Sequence, residues 1–111
     1  MRNDAAPPFD HDLGRELKGR YVLVGITHVD HAGKCTSQTQ FHGTVTHVDE
    51  AHGIRLVLRG DREGELYTLP PDTRGFQKAG KGEYRLRGTG ELVLDPDYTS
   101  TWTIYGRAPT N

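Results

Sequence analysis

Residues 21–69, YVLVGITHVDHAGKCTSQTQFHGTVTHVDEAHGIRLVLRGDREGELYTL, decide the fold. Segments rich in β-branched and aromatic residues alternate here with short turns that contain glycine. Tyr21–Val29 is the first such segment, and the turn His31–Lys34 follows it, with Gly33 able to adopt a positive φ. The spacing therefore predicts four antiparallel strands joined by hairpins.

The alternation of apolar residues predicts how these strands pair. A four-residue turn, Glu50–Gly53, would place Val45 opposite Leu58 in the next strand. The fourth strand would then place Leu66 opposite Leu58 on the same side of the sheet. This register gathers apolar side chains on one face, whereas a slip of one residue would move a strand's side chains to the other face.

The rest of the chain also favours β structure. Pro70 and Pro71 end the fourth strand, because proline cannot donate to the ladder, and residues 72–82 are predicted to be irregular. Further strands are predicted at residues 84–87, 91–94 and 99–105. Together the segments predict a mainly β fold, a small antiparallel SH3-like or OB-like barrel of six to seven short strands, with a two-sheet sandwich as the alternative.

The chain length of 111 residues suits a single domain. Residues 1–19 are predicted to be a flexible tail that can include one short helix, in which Leu13 and Leu17 form a narrow apolar face. Residues 20–106 are predicted to form the β domain, and residues 107–111 a C-terminal tail.

The composition argues against several classes of function. The net charge of −1 at pH 7 gives no general attraction to nucleic acid or to an anionic membrane. The single cysteine, Cys35, excludes an internal disulfide, and no segment has the pattern of a secretory signal or a transmembrane helix. We therefore expect a cytoplasmic protein, and no motif implies a cofactor.

Five of the six histidines fall between residues 28 and 52, which raises the alternative of a histidine-based metal site. The predicted pairing of His28 with Ser37 separates His28 from His42 by about five residues along the strand, or about 17 Å. No cysteine joins the histidines, and no HxxxH pair lies on a helix. Because no nucleophilic triad or phosphate-binding loop is recognisable either, we expect a non-enzymatic protein.

The outer face of the predicted meander is the first candidate binding surface. On this face Tyr67 and Val57 would form an apolar centre inside a polar rim, which is the usual composition of a protein interface. The rim residues are His42, Thr44, Thr46, Arg55, Arg59 and Glu65. The face predicts a module that binds another protein or pairs with a second copy of the chain.

A second candidate surface is the basic segment 74–87, which has five basic residues and one acidic residue. Arg74 begins this segment, and the aromatic residues Phe76 and Tyr84 are interleaved with its basic residues. Aromatic rings among cationic side chains can bind single-stranded nucleic acid by stacking and charge. Weak binding of single strands is therefore the alternative function, although the near-neutral chain makes nucleic acid the less favoured partner.

Several segments resemble a family of small uncharacterised bacterial proteins. They are YVLVGIT at 21–27, QFHG at 40–43, TLPPD at 68–72, EYRLRGTGE at 83–91, DPD at 95–97 and TWT at 101–103. The resemblance spans about residues 20–105 and implies a bacterial, cytoplasmic, single-domain protein. It implies no activity and no site residue.

Overall fold

A computed structural model describes residues 9–106, and within them the fold is mainly β with one short helix, α1, at His11–Leu17. The strands β1 to β8 are Tyr21–Val29, Cys35–Asp49, Gly53–Leu58, Leu66–Leu69, Phe76–Lys78, Glu83–Arg85, Leu92–Leu94 and Tyr98–Tyr105. In this part of the chain, no helix has the length and apolar character needed to cross a membrane.

Six of these strands form one sheet in the order β4-β3-β2-β1-β8-β5. The pair β1 and β8 is parallel, and every other pair in the sheet is antiparallel. The end strands β4 and β5 do not pair with each other, so the predicted closure into a barrel is not confirmed. β5 lies in the segment predicted to be irregular, where Phe76 pairs with Ser100 of β8.

Strands β6 and β7 form a separate two-stranded sheet, which we call the cover hairpin (residues 83–94). The cover hairpin lies on one face of the six-stranded sheet, the outer face. The main core lies on the other face, which we call the inner face. Its largest fully buried side chains are those of Leu17, Ile54, Leu56, Leu58, Leu69, Val22, Val24 and Val45. The hairpin instead buries Leu86 and Val93 against Leu23 of β1, on the outer face of the sheet.

Helix α1 is part of the folded domain. The Asp10 carboxylate accepts hydrogen bonds from the backbone N–H groups of Asp12 and Leu13, at 2.9 and 3.2 Å, and so caps the helix. Leu17 is fully buried in the main core. The predicted short helix is therefore confirmed, and Leu17 joins it to the β domain, while residues 1–8 and the predicted tail at 107–111 lie outside the described residues.

The β1–β2 register is confirmed, with His28 opposite Ser37. The β2–β3 register differs from the prediction by two residues, since Val45 lies opposite Leu56 and not Leu58. The turn is one residue shorter because Gly53, at φ 112°, already pairs with the end of β2. A bulge between Val45 and His47 supplies the second residue of the shift. Because side chains alternate between the two faces and the total register shift is two residues, Val45 still faces the core.

The β3–β4 register differs by a single residue, and that changes the face. Leu66 lies opposite Val57 and not opposite Leu58. The turn closes where the Leu58 N–H donates to the Glu65 carbonyl at 2.8 Å, which starts the pairing one residue earlier along β4. Leu66 is consequently 64% exposed, while Tyr67 turns toward the core and its ring lies 4.6 Å from that of Phe41.

Candidate functional site

The cover hairpin creates the candidate site, because it lies over only part of the outer face. Leu86 and Val93 of the hairpin are buried against Leu23 of β1, and the half-buried rings of Tyr21 and Tyr84 pack against these three residues. This small apolar contact holds the hairpin to the sheet. Next to the contact the outer face carries a buried polar cluster on one side and open clefts on the other.

The buried polar cluster is centred on His42 of β2, which is only 5% exposed. The Tyr21 hydroxyl lies 2.6 Å from His42 Nδ1, and the Glu91 Oε2 atom lies 3.0 Å from His42 Nε2. Among the described residues Nε2 has no hydrogen bond, so the Glu91 carboxylate lies close to Nε2 but off the N–H direction. The carboxylate favours a proton on Nε2, which leaves Nδ1 to accept from the Tyr21 hydroxyl.

Arg59 completes this group, which we call the His42 cluster (Tyr21, His42, Arg59 and Glu91). Its guanidinium lies 4.1 Å from the centre of the Tyr21 ring and donates to the Thr44 hydroxyl at 2.7 Å. Burial is the largest influence on Tyr21 and raises the pKa of its hydroxyl, although Arg59 acts in the opposite direction. The hydroxyl therefore remains protonated at neutral pH and can donate to His42.

Gly60 makes room for the His42 cluster. A Cβ atom at this position would lie 1.5 Å from the Glu91 Oε2 atom and 2.8 Å from His42 Nε2. The residue also has a φ of 75°, a backbone angle that residues other than glycine rarely adopt. The backbone after β3 thus closes over the imidazole and the carboxylate. The cluster joins β1, β2, this turn and the cover hairpin, so it fixes the position of the hairpin on the sheet.

The cleft on the outer face, called here the face cleft, has a volume of about 220 Å³. Its floor includes Gly25 of β1, beside which a Cβ atom would meet nothing within 4 Å. Gln40 of β2 and Thr101 of β8 lie on either side of Gly25 in the sheet, since both are its register partners. Arg87 of the cover hairpin borders the cleft, and its backbone N–H donates to the Gln40 side-chain oxygen at 2.8 Å.

A second, larger cleft lies at the side of β2 and is called here the edge cleft. Its volume is about 470 Å³, and Gln38, Gln40, Arg62 and Arg87 are among the residues that line it. β3 pairs with β2 only from Gly43 onward, so residues 35–41 have no strand partner on that side within the described chain. We call this seven-residue stretch the β2 edge.

The residues predicted on the outer face are partly brought together. His42 and Arg59 meet in the His42 cluster, Thr44 accepts a hydrogen bond from Arg59, and Val57 lies beside Thr44 as its register partner. Tyr67 lies on the inner face, because of the one-residue slip described above. The predicted apolar centre of Tyr67 and Val57 is therefore wrong.

The outer residue Arg55 lies apart from the His42 cluster. It is exposed and borders a different cleft, of about 410 Å³, together with His47 and His52. The predicted outer face is thus divided between a buried cluster and an exposed end.

Of the two aromatic rings of the basic segment, that of Phe76 is buried and that of Tyr84 is half-buried. Phe76 is 6% exposed in the main core, where its ring lies 6.1 Å from that of Trp102. Arg74 forms a salt bridge with Asp72 at 2.7 Å, and this hydrogen bonding lowers the pKa of the Asp72 carboxyl. The half-buried Tyr84 donates its hydroxyl to the Gly80 carbonyl at 2.7 Å. The stacking surface predicted around Phe76 is therefore not formed.

The histidines do not assemble a metal site within residues 9–106, where no group of three or more potential ligand side chains has suitable geometry. Sequence reasoning missed Tyr21 and Glu91 as members of the site, and it assigned Arg87 to the separate basic segment 74–87. The β1–β2 register was available from the sequence and places Tyr21 diagonally beside His42, since Leu23 is opposite His42. Nothing in the sequence indicates that the cover hairpin folds back onto this face.

No protein-family model, curated protein or solved structure matches this chain. The resemblance to a family of small bacterial proteins therefore stays a prediction.

Proposed function

We propose that this chain is a non-enzymatic binding module that captures an extended segment of a partner protein along the β2 edge. The observation that carries the proposal is the unpaired stretch of residues 35–41, which borders the edge cleft. An extended segment that adds to a strand edge gains backbone hydrogen bonds, and neighbouring pockets select its side chains.

The backbone of the β2 edge is oriented for such an addition. The Arg59 N–H donates to the His42 carbonyl at 2.9 Å, so the backbone groups of His42 point toward the β3 side. Because these directions alternate along a strand, the N–H and C=O groups of Gln40 and Gln38 point to that side as well. At Gln38 and Gln40 there is no β3 residue to receive them.

The experiment measures binding of a labelled, blocked peptide of seven residues, which matches the length of the β2 edge. Three versions alternate threonine with glutamate, glutamine or lysine. We expect at least one version to bind and to slow the hydrogen exchange of the Gln38 and Gln40 amides. The variant Gln38→Pro should abolish binding, because it removes an N–H group that points to the free side.

The matched control is Thr103→Pro, which replaces an exposed residue of β8 away from the β2 edge. It should keep the affinity of the wild-type protein for the peptide. The proposal is overturned if none of the three peptides binds, or if binding leaves the exchange of Gln38 and Gln40 unchanged. The exchange measurement uses the wild-type chain and does not depend on the folding of either variant.

A second candidate function, self-association, is favoured by the end of β8. β5 pairs with β8 only at Tyr98–Ser100, and the segment from Tyr98 to Tyr105 contains no charged residue. The Gly106 N–H donates to the Val29 carbonyl, so by alternation the backbone groups of Thr103 and Tyr105 point away from β1. Ile104 is 44% exposed and Tyr105 is 72% exposed. A neutral edge of this kind can pair with a second copy of itself.

Sedimentation of the wild-type chain over a range of concentrations tests this second candidate. We expect a dimer that Thr103→Pro converts to a monomer and that Gln38→Pro leaves intact, the reverse of their effects on peptide binding. A wild-type chain that remains monomeric at all concentrations would exclude self-association through β8.

A further inference from the structure

We infer that the segment captured along the β2 edge is acidic. The inference rests on the proposed function and adds the chemistry of the partner. Its basis is the position of Arg87, the one charged residue that borders both the face cleft and the edge cleft.

The two clefts have a one-sided charge. Arg87 and Arg62 are the charged side chains that border them, and no aspartate or glutamate is a lining residue of either cleft. Arg62 already has a carboxylate partner in Glu65, at 2.9 Å. Arg87 forms no salt bridge with any residue between 9 and 106, and it is exposed. Its guanidinium is thus available to a carboxylate from outside.

The backbone at Arg87 is held in place from two directions. The Arg87 N–H donates to the Gln40 side chain at 2.8 Å, which ties it directly to the β2 edge. The neighbouring Leu86 is 2% exposed beneath the cover hairpin, and its N–H donates to the Glu91 carbonyl at 2.8 Å. Glu91 in turn contacts His42, so the His42 cluster anchors the hairpin that carries Arg87.

The polar neighbours of Arg87 suit a carboxylate better than an apolar group. The side chains of Gln38 and Thr101 offer amide and hydroxyl donors at the face cleft. Gly25 leaves the floor of that cleft open. A strand added along β2 directs alternate side chains to the outer face, where Arg87 lies, so an acidic side chain there can receive two parallel hydrogen bonds from the guanidinium.

The three peptides of the binding experiment also test this inference. We expect the glutamate peptide to bind about three- to tenfold more tightly than the glutamine peptide, and the lysine peptide to bind most weakly. The advantage of the glutamate peptide should shrink as salt is added, because the guanidinium and the carboxylate meet at a solvent-exposed position.

The decisive variant is Arg87→Gln, which should reduce the affinity for the glutamate peptide to that of the glutamine peptide. Its matched control is Arg55→Gln, an exposed arginine on β3 that borders neither cleft and should leave the preference unchanged. Equal affinity for the glutamate and glutamine peptides would overturn the inference and leave strand capture standing. An acidic preference that survives in Arg87→Gln would also overturn it, whereas failure of all three peptides would overturn strand capture itself.

Discussion

At the residue scale, the position of the cover hairpin depends on a few buried polar side chains that contact one another. His42 is 5% exposed, and its ring lies between the Tyr21 hydroxyl and the Glu91 carboxylate. A buried polar ring is costly unless its nitrogens find partners. The Tyr21 hydroxyl satisfies Nδ1, and the nearby Glu91 carboxylate offsets part of the cost of leaving Nε2 without a hydrogen bond. The same contacts hold the cover hairpin over the outer face.

Gly60→Ala should disturb the His42 cluster more than an otherwise similar substitution. Both Gly60, at φ 75°, and Gly64, at φ 87°, have a backbone that disfavours alanine, but only at Gly60 does the new Cβ reach Glu91 and His42. We expect Gly64→Ala to lower the free energy of unfolding by about 1 kcal/mol. Gly60→Ala should lose about 1 kcal/mol more, as Glu91 swings away from the imidazole.

Urea unfolding of both variants measures the difference, and the NMR signals of the His42 ring report the local change. Equal losses in the two variants, with an unchanged His42 ring signal, would show that Glu91 does not hold the imidazole.

Tyr98 provides a prediction about pH. This residue is 4% exposed, and its hydroxyl donates to Glu16 of helix α1. Burial, followed by this hydrogen bond, raises the pKa of Tyr98 from 10.0 to about 12. The folded state therefore keeps a proton that the unfolded chain loses, so the contribution of Tyr98 to stability is complete below about pH 10 and is lost as the pH rises to about 12.

Between about pH 9 and about pH 11.5, the urea concentration at the unfolding midpoint should fall more for the wild-type chain than for Tyr98→Phe, because the variant has no proton to lose at this position. Tyr21, whose pKa is also raised, is present in both proteins and cancels in the comparison. Parallel losses in the two proteins would contradict the prediction.

At the element scale, registers decide which side chains are available at the surface. The two-residue shift between β2 and β3 keeps Val45 in the core, whereas the one-residue shift between β3 and β4 exchanges Leu66 and Tyr67 between the faces. The first shift comes from a bulge and a shorter turn, and the second from the closing of a turn. Alternation alone cannot detect either, because it defines the side-chain period but not the length of the turns.

The cover hairpin should unfold more easily than the sheet on which it lies. Its contact with the sheet depends on Val93, which is fully buried with Leu23 and Leu86 in a cluster apart from the main core. We expect Val93→Ala to cost about 1–2 kcal/mol and to act mainly on the hairpin. In hydrogen exchange, residues 83–94 should then exchange faster while β1 to β3 keep their protection.

The matched control is Val45→Ala, the same chemical change at a residue 1% exposed in the main core. It should speed exchange throughout the sheet. If Val93→Ala also speeds exchange throughout the sheet, the hairpin is not a separate cooperative unit.

At the scale of the whole molecule, the strand order makes the last strand central to the fold. β8 lies between β1 and β5, and its parallel pairing with β1 brings Val22 beside Tyr98, far apart in the sequence. A chain that ends at Asp97 would lack β8, the strand that pairs with both β1 and β5. We expect it to lack cooperative unfolding, while a chain that ends at Gly106 keeps every described strand and should unfold cooperatively.

Circular dichroism during thermal unfolding distinguishes these two truncated chains. A cooperative transition in the chain that ends at Asp97 would mean that strands β1 to β4, with helix α1, form a core of their own.

The local elements of this protein were determined by its sequence. The strand Tyr21–Val29, the hairpin that pairs His28 with Ser37, and the position of a helix around Leu13 and Leu17 follow from side-chain period and turn chemistry. These features depend on residues close together in the chain, where alternation and glycine placement act directly.

Only the tertiary structure decided the rest. The parallel β1–β8 pair, the open order of the sheet, the docking of the cover hairpin and the meeting of Glu91 with His42 all join distant residues. Such contacts depend on which packing of the strands and the hairpin buries apolar surface most favourably for the whole chain. The turn residues do not determine that packing. The run of hairpins thus specified the strands, and the packing of the cover hairpin over them created the clefts beside β2.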